Sequence, residues 1–230
     1  MPTSLSDLPI WYATFLFSTT CHEAAHALAA KIGGDDTAYE AGQVTLNPLP
    51  HIKREPLGTV VVPIASLLMS GGMFGWASAP YDPEWQERHP HRAAWMALAG
   101  PAANFTLLLL AAIAIRASIA FGFLSIPVDG IGFSQIVVDA ETGMPSAASM
   151  ILSVLFSLNL LLGVFNMFPV PPLDGATIIG LFVDEKTALK IYESTRNATF
   201  QIVGLLVMFN VFPELFRPIF VFAIRALYWF

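Results

Sequence analysis

Five long apolar stretches, separated by short polar segments, organise this chain: residues 8–30, 57–76, 93–121, 147–183 and 199–230. Each is long enough for a hydrocarbon layer about 30 Å thick, which takes roughly 20 helical residues to cross. The first lacks a positively charged leader and a small-residue cleavage site, so it reads as a retained span. Gly33, Gly34, Asp35 and Asp36 follow it and predict its end. Pro169, Pro171 and Pro172 fall inside the fourth stretch and predict a helix break there. Pro213, Glu214, Arg217 and Pro218 in the fifth predict one span followed by a kinked or interfacial helix. No internal repeat or low-complexity segment is present.

Composition sharpens this picture. Of 230 residues, 55% are hydrophobic and 12% charged, against about 25% charged in ordinary soluble domains. The 17 acids and 11 bases leave a net charge of -6, and there is one cysteine, Cys21. These values exclude a disordered chain, a disulfide scaffold and a nucleic-acid partner, which would require a basic face. The expected architecture is an all-α polytopic membrane protein with four to six transmembrane helices. It forms a single integral-membrane domain over 1–230, with a core at 10–183 and a C-terminal helical segment at 199–230. The lipid bilayer is its surroundings.

The basic residues test the topology. If every stretch crossed once, Lys31, Lys53 and Arg54 would lie on one side and Arg88, Arg92, Lys186, Lys190 and Arg196 on the other, with no bias. If residues 57–92 instead return to the side they left, all eight share one face and the opposite loops hold none. The tendency of cytoplasmic loops to carry Lys and Arg favours the second arrangement. A re-entrant or short β element around residues 39–79 is therefore expected, with its break at Ser70-Gly71-Gly72.

Candidate chemistry begins at the end of the first span, in Cys21-His22-Glu23-Ala24-Ala25-His26. On a helix His22 and His26 stand one turn apart on one face, as two imidazoles sharing a tetrahedral Zn²⁺ must. Glu23 between them is suited to take a proton from water at the metal. Cys21 points away from that face and reads as packing. Ionisable groups at the end of an apolar span are costly unless paired, buried or bound to an ion. Asp174, just after the proline break, is the best third ligand, although an aspartate there could equally cap the helix that follows. Asn104, Asn166 and Asp174 fall at the same depth as the histidines, on the side carrying the bases. His51 reads as a loop brace, and His89 and His91 as interfacial residues.

Taken together, H-E-x-x-H in a first span, Gly100-Pro101-Ala102-Ala103-Asn104 opening a later one, and Asn166-Met167-Phe168-Pro169 through Leu173-Asp174-Gly175 near the end of another resemble the site-2 protease family of intramembrane zinc metalloproteases. Residues 42–51 also resemble its short prokaryotic members, and no PDZ or CBS module is recognisable. The resemblance implies that His22, His26 and Asp174 bind one Zn²⁺ per chain and that Glu23 is the general base. It implies that Asn166 contacts substrate or steadies an oxyanion and that Asn104 lines or supports the site. It further implies cleavage of peptide bonds within or near transmembrane segments of membrane-protein substrates. The expected location is a prokaryotic cell membrane, with the site toward the cytoplasmic side. The alternative is a non-proteolytic membrane protein, either a degenerate client-binding relative or an ion-coupled transporter. Intact His22, Glu23, His26 and Asp174 count against the former, and the lack of paired repeats counts against the latter.

Overall fold

The computed structural model describes residues 7–70 and 72–229. Residues 1–6 of the expected domain, Gly71 of the expected break and Phe230 at the end of the fifth stretch lie outside the described residues. The order of elements is α1 (Leu8–Ile32), α2 (Thr37–Glu40), α3 (Pro48–Arg54), a π-helical turn (Leu57–Val61) running into α4 (Val62–Ser70), α5 (Pro83–Arg88), α6 (Pro90–Ala120), β1 (Leu124–Ser125), β2 (Val138–Asp139), α7 (Ala147–Asn166), α8 (Asp174–Ile178) with a 3-10 turn (Ile179–Leu181), α9 (Glu185–Thr195) and α10 (Ala198–Tyr228). The protein is an all-α membrane protein: α6, α7 and α10 are long and apolar enough to cross a bilayer. Helix α1 has 25 residues, but Ser18, Thr19, Thr20, His22, Glu23 and His26 interrupt its apolar surface.

Helix α7 packs against α1, α6 and α10. Trp11, Phe15, Leu67, Val154 and Leu158 fill the space between α1, α4 and α7. On α6, the buried Ala93, Ala94, Ala97 and Gly100 let neighbouring backbones approach closely, a common basis of helix contact in lipid, where burial of apolar area drives little association.

The second apolar stretch is a hairpin. Its helical arm ends at Ser70, and residues 72–82, which form neither helix nor strand, run back beside it. The Trp76 N–H donates to the Gly58 carbonyl at 3.0 Å, the Ser78 hydroxyl to Glu55 at 2.7 Å, and the Arg54 Nε–H to the Ser78 carbonyl at 2.9 Å. No strand forms among the described residues of 39–79. The returning arm faces a helix whose carbonyls are largely spent on its own turns, so strand pairing has no template. The short strands pair instead at the opposite end, Leu124 with Asp139 and Ser125 with Val138.

Direct contacts gather the loops into two groups. At one end the Asp82 N–H donates to Asp35 at 2.9 Å, Arg92 to the Gly33 carbonyl at 3.1 Å, and His91 to the Val183 carbonyl at 3.0 Å. Arg196 pairs there with Glu87 at 2.9 Å. At the other end the Tyr228 hydroxyl donates to the Ile136 carbonyl at 2.6 Å, and the Ser153 hydroxyl of α7 accepts the Ile136 and Val137 N–H groups. Helix α9 belongs to the first end, capped by Asp184, whose carboxyl is held below the usual carboxylate range by the Thr187 hydroxyl and N–H.

The fifth stretch differs from expectation. Pro213 and Pro218 lie inside one continuous 31-residue helix, not at a break. Ending α10 there would strand further backbone groups in apolar surroundings, which costs more than the bonds each proline removes. Phe209, Phe212, Phe216 and Phe220 continue an aromatic face through both prolines, linked to Phe165 and Phe168 at one end and Phe133 at the other.

Candidate metal centre

One turn of α1 puts the His22 and His26 rings edge to face, with centroids 4.6 Å apart and Nε2 atoms 3.0 Å apart. Helix α7 ends at Asn166, and residues 167–173, including a cis Pro171–Pro172 peptide, turn the chain back. A Cβ on Gly175 would overlap the Phe168 and Met167 carbonyls, so the fold-back closes only with glycine there. Asp174 thereby places Oδ2 3.2 Å from His22 Nε2 and 3.3 Å from His26 Nε2. Asp174 is not the helix cap: Leu173 holds that position and Asp174 is the first residue of α8.

The far sides of the imidazoles decide what this triangle can hold. His22 Nδ1 is 2.7 Å from Asn104 Oδ1, and His26 Nδ1 is 2.7 Å from the Met96 carbonyl. Both partners are acceptors, an arrangement that favours the proton on each Nδ1 and leaves each Nε2 lone pair facing the site. Asp174 Oδ2, enclosed by protein, accepts no hydrogen bond from the described residues. Two lone pairs and a carboxylate oxygen facing one another across 3.0–3.3 Å are mutually repulsive without a cation. Ligands about 2.0–2.1 Å from a tetrahedral zinc would lie about 3.3 Å from each other. The donor set fits Zn²⁺.

Space for the ion depends on α6. A Cβ on Gly100 would overlap His26 Nε2 and sit 2.6 Å from His22 Nε2. Glycine at this position keeps the cradle open. Glu23 is buried beside the histidines, and its carboxylate has no hydrogen-bond or ion-pair partner among the described residues.

The structure thus brings His22, His26 and Asp174 together, and it sets Asn104 behind His22. The Asn166 amide donates to the Leu162 carbonyl of its own helix at 3.1 Å. Cys21 is outside the donor set, and His51 is buried and bonded to the Thr45 carbonyl at 3.1 Å, bracing its loop. Sequence reasoning missed the Met96 carbonyl, the space above Gly100 and Asn159, which accepts from Asn104 at 2.9 Å. An amide in the middle of the apolar stretch 147–166 was the available signal for Asn159.

A helical membrane bundle with a His-His-Asp cradle, both histidines buried, beside the buried Glu23 defines a membrane-embedded metallopeptidase as the class. The chain belongs to peptidase family M50, whose family model matches residues 11–210 and so extends past the expected core into α10. It is similar to "Putative zinc metalloprotease YwhC" of Bacillus subtilis (strain 168), with 30% identity over 206 residues, which are 89% of this chain and 82% of the relative. No solved structure matches it significantly.

Proposed function

We propose that the protein is a zinc-dependent intramembrane endopeptidase that hydrolyses peptide bonds within or near transmembrane segments of membrane-protein substrates. The carrying observation is the triangle of His22 Nε2, His26 Nε2 and Asp174 Oδ2, with edges of 3.0–3.3 Å, beside an unpartnered Glu23. In this proposal His22, His26 and Asp174 hold the metal. Zinc, when bound, supplies a Lewis acid that polarises the scissile carbonyl and makes water nucleophilic near neutrality. Glu23 takes the proton of the attacking water and passes it to the leaving amine. Asn104 orients His22. Asn166, with one amide N–H and its Oδ1 uncommitted among the described residues, contacts the substrate backbone or steadies negative charge on the carbonyl oxygen.

A transmembrane substrate has every backbone group satisfied within its helix, so it must unwind locally to reach the site. Residues 72–82, which form neither helix nor strand, offer backbone groups on which such a segment could pair. We place α1, α6, α7 and α10 across the membrane of a prokaryotic cell, within one domain over 1–230. The hairpin 57–82 re-enters from the end that carries Lys31, Lys53, Arg54, Arg88, Arg92, Lys186, Lys190 and Arg196, and the positive-inside tendency puts that end, with the metal cradle, on the cytoplasmic side.

Protein reconstituted with a model transmembrane substrate tests the reading. Cleavage should stop on zinc chelation and resume on zinc addition. The Glu23→Gln variant should keep stoichiometric zinc while losing roughly 10²–10⁴ in rate. Purified wild-type protein without zinc, or Glu23→Gln that cleaves normally, would defeat the proposal.

A further inference from the structure

We propose that Asn159, acting through Asn104, is a positioning residue for the metal centre, locking His22 in the tautomer that carries its proton on Nδ1 and turns the Nε2 lone pair toward zinc. This rests on the proposed reading of His22, His26 and Asp174 as the zinc ligands.

The chain of hydrogen bonds starts at a backbone group. Asn159 Nδ2 lies 2.8 Å from the Leu155 carbonyl and 2.9 Å from Ser18 Oγ. A carbonyl can only accept, so the amide nitrogen of Asn159 must face it and the amide oxygen must face Asn104. That oxygen accepts from Asn104 Nδ2 at 2.9 Å. With its NH₂ committed there, Asn104 can present only Oδ1 to His22 Nδ1, 2.7 Å away. An acceptor at Nδ1 holds the proton on Nδ1. Ser18, Asn104 and Asn159 are wholly buried, so bulk water does not offer an alternative partner. The relay runs from α7 through α6 to α1.

His26 needs no such relay, because the Met96 carbonyl meets its Nδ1 directly. An amide is different, since it can turn over. A flipped Asn104 would point NH₂ at His22 Nδ1 and favour the proton on Nε2, removing the lone pair the metal requires. Asn159 eliminates that choice.

The test uses the full chain purified in detergent, with zinc affinity read by competition against a chromophoric chelator and ligand geometry read from the visible spectrum of the Co²⁺-substituted protein. Asn159→Leu keeps the side chain's size and removes its hydrogen bonds. It should weaken zinc binding by about 10–100-fold and alter the Co²⁺ spectrum. Adding Asn104→Asp to that variant should restore affinity, because a carboxylate has no donor to misdirect and accepts from Nδ1–H either way up. Loss of packing alone would not be repaired by burying a charge. In metal-free wild-type protein labelled with ¹⁵N-histidine, NMR should place the His22 proton on Nδ1, a readout that does not depend on any variant folding. A folded Asn159→Leu with wild-type zinc affinity, a double variant no tighter than the single one, or a His22 proton on Nε2 would each overturn the proposal. If wild-type protein binds zinc, loses it in Asp174→Ala and keeps it in Asn159→Leu, only the role of Asn159 fails. A wild-type chain that binds no zinc takes the ligand assignment down as well.

Discussion

Gly100 of α6 approaches His26 of α1 so closely that one methyl group on it would overlap Nε2, the atom we assign to the metal. The same methyl would stand 2.6 Å from His22 Nε2. Backbone conformation does not explain this glycine, since it lies within a regular helix. The absence of a side chain is what the site requires. Gly100→Ala should therefore fold, because alanine favours helix over glycine by roughly 1 kcal/mol, yet retain well under one zinc per chain. Metal analysis beside a far-ultraviolet dichroism spectrum checks both halves, and full zinc occupancy would show that the cradle tolerates a methyl.

Asp174 supplies the only carboxylate oxygen in the triangle. Asp174→Asn keeps the shape but replaces an anionic donor with a neutral one, so zinc affinity should fall at least as far as for loss of an outer partner, about 10–100-fold. Competition with a chelator measures the change. Unaltered affinity would point to a ligand set that does not include Asp174.

Ser153 ties the loop that bears β2 to α7, accepting from the Ile136 N–H at 3.0 Å and the Val137 N–H at 3.2 Å. Ser153→Ala would leave two buried N–H groups without an acceptor, at a cost of about 1–3 kcal/mol. Thermal unfolding in detergent should show a lower midpoint with zinc stoichiometry intact, because Ser153 touches none of the three donors. A midpoint equal to wild type would mean that these N–H groups find other partners.

The two ends of the molecule can be told apart in intact cells. In a Cys21→Ala background, cysteine at Lys53 should be shielded from an impermeant thiol reagent added outside, and cysteine at Gly130 should react. Labelling of both positions from the same side would contradict the arrangement in which the 57–82 hairpin returns to the end it left.

Much of this was legible because the governing forces act over one or two turns of chain. Apolar stretches of the right length announced the long helices, Pro169 to Pro172 announced the end of α7, and the four-residue spacing of His22 and His26 put both on one face. The lopsided distribution of lysine and arginine favoured a segment 57–92 that returns to the side it left. Prolines misled the reading of α10, since a helix breaker in water is tolerated where ending the helix would expose more backbone to an apolar medium.

The amino-acid order by itself determined which side chains could bind a metal. Only the tertiary structure decided which of them meet, that Asp174 completes the triangle while Asn166 bonds to its own helix, and that Asn159 stands behind Asn104. Periodicity sets the face of one helix, but contact between helices depends on how each is rotated about its axis. That rotation is settled by packing across α1, α6 and α7, where removing one side chain, at Gly100, opens room for an ion.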